Sequence, residues 1–392
     1  MPNQRRKLGI SLCFKSLIKG RIPSAYFCDR ESETADLTRK ITNGHNVVLI
    51  SPRRIGKTGL IQHFYEQESI ANQYYTFFVD ILQTSCLQEF TYLLGQQIFE
   101  VLKPRSKKMM ELFIQTVRSI STEFGYDLAT GLPKFNLSLG AIEDPHITLS
   151  EIFQYIEKAD KPCIIAIDEF QRIANYPEKN VEAILRTHIQ QMGNCSFIFA
   201  GSERHLLSEM FYSYARPFYN STSSLNLDVF SKAIYISFAK SLFGQYNKSI
   251  QEENIEKVYD LFSGNTFCMQ KTLNVAFSLT DTQHECTYDI LAMAIEEILS
   301  DSERDFQNRL SNLNPMPKQL LFAIANDHIA EKVTSASFIK RHKLASASSV
   351  QSAIKQLLSD DWISFDQAKR YFVSDQFLGL WLRKNFGSGY QL

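Results

Sequence analysis

Val47-Val-Leu-Ile-Ser-Pro-Arg-Arg-Ile-Gly-Lys-Thr58 is the stretch whose reading decides the fold. Its first four residues are apolar and mostly β-branched, the composition of a short strand buried on both faces. The next eight follow the pattern G-x-x-x-x-G-K-[ST] at every position but the first, where Ser51 replaces glycine. Such a loop works because a tight turn between strand and helix aims successive backbone N–H groups at phosphates, and the helix N-terminus adds partial positive charge. Ser51, Pro52, Arg53, Arg54, Ile55, Gly56, Lys57, Thr58 and Gly59 are therefore the candidate lining of a nucleoside triphosphate site. Gly56 fits where backbone must approach the ligand, Lys57 can reach the β- and γ-phosphates, and the Thr58 hydroxyl can ligate Mg2+. Gly59-Leu-Ile-Gln-His-Phe-Tyr65 continues with helical apolar spacing, which completes the strand, loop and helix that the pattern requires.

Lys161-Pro-Cys-Ile-Ile-Ala-Ile-Asp-Glu-Phe170 supplies the acids that the loop lacks. Its apolar run reads as another strand buried on both faces, and it ends in two carboxylates. Asp168 is placed to hold Mg2+, and Glu169 to act as general base on an attacking water. The same acids would suit the N-terminus of a following helix, where the dipole favours negative charge. A third run, Cys195-Ser-Phe-Ile-Phe-Ala200, leads into Gly201-Ser-Glu-Arg204. In P-loop enzymes with a catalytic Glu after the Mg2+ acid, a strand lies between the other two, and a polar residue at its end senses the γ-phosphate. Ser202 is that candidate. Serine is also a favoured N-cap, and a helix from Glu203 to Phe211 would use it so.

Together these residues resemble a family, the archaeal-type P-loop ATPases, a branch of the AAA+ and STAND-like signalling ATPases also common in bacteria. Tyr26-Phe-Cys-Asp-Arg-Glu-Ser-Glu33 is similar to the family's opening motif F-x-G-R-E-x-E, with Asp29 where glycine is usual, and Arg53-Arg54-Ile55 to its R-R-I before G-K-T. Ile167-Asp-Glu-Phe-Gln171 and Ala200-Gly-Ser202 match its Walker-B and sensor strands. The resemblance implies an α/β P-loop NTPase fold of the AAA+/ASCE type, with a parallel sheet, a helical lid and a C-terminal winged-helix domain. It also implies ATP and Mg2+ as ligands and ATP hydrolysis as the activity. It puts the opening motif near the adenine base, which makes Phe27 and Arg30 candidate contacts; the other reading pairs Arg30 with Glu31 at the surface. Ala215-Arg-Pro-Phe-Tyr219 is similar to the family's segment before its fifth strand, read here as Ala233 to Phe238. Arg216 is then a candidate arginine finger acting on a neighbouring subunit of a nucleotide-dependent oligomer, or else a solvated loop charge. Ser263-Gly-Asn-Thr266 stands where STAND relatives often carry G-x-P before a helix.

A chain of 392 residues exceeds one ordinary core, so two to three domains are expected. A hydrophobic fraction of 44% with 21% charged residues excludes wholesale disorder. Lys plus Arg and Asp plus Glu balance at 42 each, so nothing global argues for nucleic acid or membrane. Residues 1–28 carry six Lys or Arg and no acid, yet Leu8 to Phe14 is too short for a signal core, and a basic arm over residues 1–25 is expected. No run of 18 apolar residues occurs, so no membrane span is expected. The seven cysteines are scattered without C-x-x-C spacing, which points to a reduced, cytoplasmic protein with no zinc site.

Strands at Val47–Ile50, Tyr75–Val79, Cys163–Ile167, Cys195–Ala200 and Ala233–Phe238 alternate with helical patterns, which predicts a parallel sheet carrying Lys57, Asp168 and Ser202 at one edge. The expected domains are the ATPase core over 26–239, with an insertion at about 103–147, a helical lid over 240–313 and the winged helix over 314–392. Within the insertion, the Gly-Leu-Pro turn of Gly125 to Leu139 predicts a hairpin. In the last domain, helices at Gln319–Ala325, Ser335–His342 and Ser348–Leu358 precede a hairpin wing over Trp362 to Val373. A winged helix reading DNA would offer Ser348, Ser349, Gln351, Ser352 and Lys355 to bases and Lys369 and Arg370 to phosphates. Residues 315–392 hold ten Lys or Arg against six Asp or Glu, a small excess for a polyanion reader, and winged helices also serve as protein contacts. Two functions stay open: an ATPase switch signalling through the winged helix to an unidentified protein partner, and a DNA-binding regulator in which ATP is mainly structural.

Overall fold

Alternation along the buried strands sends neighbouring residues to opposite faces, so one sheet organises two cores. The strands are β1 (Val47–Ile50), β2 (Tyr75–Asp80), the hairpin pair β3 (Glu123–Tyr126) and β4 (Pro133–Asn136), β5 (Cys163–Asp168), β6 (Cys195–Gly201) and β7 (Ser223–Asn226). The sheet is parallel in the order β2-β5-β6-β1-β7. Cys163, Ile165 and Ile167 of β5 join Phe197 and Phe199 of β6 in one core, while Ile164, Ala166, Ile198 and Ala200 join Val47 and Leu49 in the other. Helices cover both faces, as an all-parallel sheet requires. The computed structural model describes residues 28, 30–51, 54–102, 116–117, 119, 123–126, 133–136, 142–366 and 368–387. These divide into one unit ending at Val229 and another beginning at Phe230. The expected basic arm and Asp29 lie outside the described residues.

The third expected strand, β6, does lie between the other two: Ile50 pairs with Gly201 on one side and Ile167 with Phe199 on the other. The predicted hairpin is present as antiparallel β3 and β4, with Glu123 opposite Asn136. One expectation is corrected. Ala233–Phe238 is not the fifth strand but part of a helix, Lys232–Gly244. Its buried residues Tyr235, Ile236, Ala239, Leu242 and Phe243 follow helical spacing, which a six-residue window cannot distinguish from a strand. The fifth strand is Ser223-Ser-Leu-Asn226, paired among the described strands with β1 alone, in which Leu225 is the one buried residue. Three polar residues in four conceal it from a search for apolar runs.

In the second unit, helices Lys232–Gly244, Glu252–Leu261, Thr266–Leu279 and Tyr288–Ser311 surround a two-residue parallel pair, β8 (Ser249–Ile250) with β9 (Glu285–Cys286). Ser263 and Gly264 take positive φ (47° and 75°), and the Asn265 side chain accepts from Cys268 N, so the Ser263-Gly-Asn-Thr266 segment singled out in the sequence is a turn and a helix cap. Pro315 opens the next helix, Pro315–Asp327, where its missing N–H costs nothing. Helices Ala336–Arg341 and Ala347–Ser359 follow, then the wing of β10 (Ile363–Phe365) and β11 (Tyr371–Val373), then helix Gln376–Phe386. Ala330 adds an antiparallel bridge to Tyr371, and Phe306 packs on Trp381 at 5.8 Å. No helix among the described residues is long and apolar enough to cross a membrane.

Phe199 sits in a cluster with Phe170, Phe211 and Phe218, at ring-centroid distances of 4.6, 5.2 and 5.5 Å, and all four are essentially fully buried. Phe170 directly follows Glu169, so this cluster anchors the strand end that carries the acids. Phe199→Ala is expected to cost about 3–5 kcal/mol through lost burial and cavity formation. Urea unfolding of the full chain should show the transition of the first unit moved to lower denaturant, and an unmoved midpoint would refute the assignment.

Candidate functional site

The loop after β1 solves its geometry at two positions. Arg54 and Gly56 take positive φ, 63° and 96°, while Ser51 does not, so the serine that replaces the usual glycine meets no backbone conflict there. A Cβ on Gly56 would meet nothing within 4 Å, but its left-handed backbone favours glycine. Arg54 is exposed and Ile55 is buried at 3% exposure, which pins the loop on the core. Helix Lys57–Glu66 then starts with no side chain capping its N-terminus, the arrangement that suits an anion. Gly59 lies in its first turn. Pro52, Arg53 and Phe27 lie outside the described residues.

Lys57 is 6% exposed, and its ammonium donates to the Ser51 carbonyl at 3.5 Å. Thr58 Oγ1 donates to Asp168 Oδ2 at 2.8 Å, so helix and β5 meet through the two residues expected to hold a cation. Two hard oxygen donors side by side suit Mg2+, which commonly takes one or two protein oxygens and completes its shell with water and phosphate. Asp168 is 6% exposed, and burial raises its pKa above the ordinary value; the neighbouring Glu169 charge adds to this, while the Thr58 bond, the Lys57 charge and the Glu169 N–H work against it. Asp80, paired with Asp168 across β2 and β5, turns instead to its own loop and accepts from Leu82 N at 2.9 Å.

Glu169 takes a left-handed backbone, φ 58°, at the head of the 3-10 helix Phe170–Asn175, and does not cap it. That turn carries its carboxylate to the end of β6: Ser202 Oγ donates to Glu169 Oε2 at 2.8 Å and Ser202 N at 3.3 Å. Helix Arg204–Tyr212 has no side-chain cap, so the Ser202 hydroxyl serves Glu169 rather than a helix start. The structure thus brings Lys57, Thr58, Asp168, Glu169 and Ser202 to one edge of the sheet.

Two further residues, quoted in the sequence only as parts of the two family strands, belong to the site. Gln171 is completely buried, and its amide donates to Glu169 Oε2 at 2.5 Å while its Oε1 has no partner. An unpaired buried oxygen of this kind costs about 1–3 kcal/mol. A Cβ on Gly201 would stand 2.0 Å from that oxygen, so glycine there is the space the amide occupies. The signals in the sequence are the places of Gln171 and Gly201 within the stretches that resemble the family's Walker-B and sensor strands.

Arg30 is buried at 4% exposure and pairs with Glu33 at 2.5 Å, not with Glu31; its other nitrogen donates to the Asp228 carbonyl at 2.6 Å. Arg216 is committed to Glu182 at 2.9 Å and Glu209 at 2.5 Å, neither of which belongs to the cluster at the sheet edge. Helix Ala347–Ser359 buries Val350, Ala353, Ile354 and Leu357 and exposes Ser348, Gln351, Ser352 and Lys355. The Ser349 hydroxyl is 2.8 Å from that of the cap residue Ser346. On the wing, Lys369 is exposed, and Arg370 is paired with Asp366 at 2.7 Å.

Comparison with known proteins fits this geometry. The profile of a family described as "ATPase domain predominantly from Archaea" matches residues 27–271, and one described as "Probable winged helix domain" matches residues 304–384. An uncharacterized ATP-binding protein of Methanocaldococcus jannaschii is 26% identical over 164 residues, 39% of this chain and 45% of that protein. The chain therefore spans less than half the length of that relative. Among solved structures, the Walker-type ATPase of Pyrococcus abyssi is similar with a TM-score of 0.65 and 18% identity, covering 93% of this chain and 99% of its own. The Aeropyrum pernix ORC2 protein, in its ADPNP-ADP complexes, gives 0.57 and 11%, covering 94% and 96%. The ORC1 protein of the same organism, in complex with DNA, gives 0.53 and 11%, covering 95% and 96%. At these identities the agreement is one of fold.

The raised pKa of Asp168 has a sign that can be tested. A carboxyl that holds its proton more tightly when folded contributes most below the unfolded value, and that contribution is lost as pH climbs through the folded value. Asp168→Asn, neutral throughout, is expected to melt at or above the wild-type temperature at pH 8 without added ligand. A clear fall in melting temperature in scanning fluorimetry would show that the buried charge is not destabilising.

Proposed function

The chain belongs to the family of ATPase domains found predominantly in Archaea, and from that premise we propose that it binds ATP with Mg2+, hydrolyses it, and passes its nucleotide state to its winged helix. The observation that carries this reading is the paired contact at the sheet edge, Thr58 with Asp168 and Ser202 with Glu169. Lys57 is the cation for the β- and γ-phosphates, and the loop N–H groups and the open helix N-terminus bind the rest of the anion. Thr58 and Asp168 would hold Mg2+, which when bound neutralises charge on the phosphate oxygens. Glu169 removes a proton from the attacking water, and Ser202, bonded to Glu169, couples the base to whatever occupies the γ-phosphate position. Arg216 is assigned to the fold of its own subunit. The described cysteines are all free, which fits a reduced, cytoplasmic setting.

A second reading has its own observation. The fold extends to the DNA-bound ORC1 protein, and the chain carries a winged helix, so a DNA-binding regulator with a structural nucleotide is the alternative. Against it, the exposed face of helix Ala347–Ser359 offers one cation, Lys355, and Asp366 offsets the wing's Arg370. We therefore assign the winged helix to a protein partner.

Lys57→Ala should weaken ATP binding at least tenfold, about 1.4 kcal/mol, in calorimetry. Glu169→Gln should keep ATP bound while turnover drops by about 10² or more, the usual worth of a positioned base. Unchanged affinity in the first variant would remove the nucleotide site, and undiminished turnover in the second would remove the base. The DNA alternative is separated by titrating the full chain with duplex over a range of salt. A complex tighter than about 1 µM at physiological salt, weakened by added salt and by joint Lys355→Glu, Lys369→Glu and Arg370→Glu substitution, would favour DNA. The expected result is weak binding or none.

A further inference from the structure

Glu169 is held on one oxygen. Oε2 accepts from Gln171 Nε2, Ser202 Oγ and Ser202 N, while Oε1 accepts from no other described residue. The donors come from two elements, the 3-10 helix after β5 and the end of β6, so they pin Oε2 from two sides. The orientation of the Gln171 amide follows from chemistry. A carboxylate accepts and does not donate, so the atom 2.5 Å from Oε2 is the NH2 group, and the amide oxygen is the one left buried without a partner. A leucine or methionine would fill this volume without burying an unpaired oxygen. The amide therefore adds nothing to packing that an apolar side chain would not, and what it alone provides is the bond to Glu169. Gly201 is the other half of the arrangement, since a Cβ there would strike the Gln171 oxygen at 2.0 Å and Leu207 Cδ1 at 2.7 Å.

We propose that Gln171, seated in the space left by Gly201, is a positioning residue that with Ser202 fixes Glu169 Oε2 and leaves Oε1 as the oxygen that receives the proton of the attacking water. This rests on the reading of Glu169 as the base. As the water oxygen bonds to the γ-phosphorus, its proton passes to Oε1, the bond from phosphorus to the β–γ bridging oxygen breaks, and ADP and phosphate leave; the proton then returns from Glu169 to solvent. Gln171 makes no contact with the reacting atoms and acts only through the angle at which Glu169 is presented.

The test uses the full chain, with kcat and KM for ATP measured beside nucleotide affinity and melting temperature. Gln171→Leu is expected to lower kcat about tenfold or more, to leave nucleotide affinity within about twofold, and to melt at or above wild type because an unpaired buried oxygen is removed. In a Glu169→Gln background the same change should cost nothing further, since there is no base to position. Gly201→Ala, which deletes no hydrogen-bonding group, should reproduce the loss in kcat, and combining it with Gln171→Leu should add nothing. If Gln171→Leu keeps full kcat while Glu169→Gln abolishes turnover, the positioning role is overturned and the base remains. A loss of turnover that tracks a fall in melting temperature, or a further loss in the Glu169→Gln background, also overturns it. Turnover that survives Glu169→Gln would overturn the base and the positioning role together.

Discussion

The pairing of β6 with β1 on one side and β5 on the other is the constraint from which the site follows. A strand bonded along both edges cannot slip by one residue without exchanging its two faces, which here would send Phe197 and Phe199 into the opposite core. Register is thus fixed by burial, and with it the heights at which Ile50, Asp168 and Gly201 end their strands. The loop residues Lys57 and Thr58, the acids and Ser202 then stand at the same edge because their strands stop there. The two cores thus set where these residues stand, and local contacts at the edge set how Glu169 is presented.

Much of this was legible from residues alone. Val47–Ile50, Cys163–Ile167 and Phe197–Ala200 are continuous apolar runs closely followed by polar residues, and such runs have few foldings other than a doubly covered sheet. The last domain was legible because Pro315 and Pro317 stop one helix and start another, and because Trp362 to Val373 carries the pattern of a hairpin. β7 was not legible, because an edge strand has one neighbour and one buried residue, and Ser223-Ser-Leu-Asn226 gives no periodic signal. The helix Lys232–Gly244 was misread for the complementary reason: aromatic and β-branched residues suggest a strand over six residues, and only the longer spacing to Leu242 and Phe243 reveals the helix.

The parts of the site that the sequence hid share one property, which is dependence on backbone angle. Glu169 reaches Ser202 because its φ is 58°, a value a glutamate seldom adopts and no motif encodes. Once that turn is made, Gln171 comes back beneath the carboxylate, and Gly201 must lack a side chain. The paired acids announce a reaction. The angle at which one of them is held shows only in three dimensions.

Arg30 has a consequence of another kind. Its guanidinium joins the carbonyl of Asp228 across 198 positions of chain, so a residue near the start of the first unit's described residues is held to one near its end. A unit closed in this way can be lifted from one polypeptide and set into another as a cassette, because the sequence on either side need not be stretched or rerouted to meet it. The clasp thus ties the entry and exit of the first unit to each other rather than to the sequence that follows.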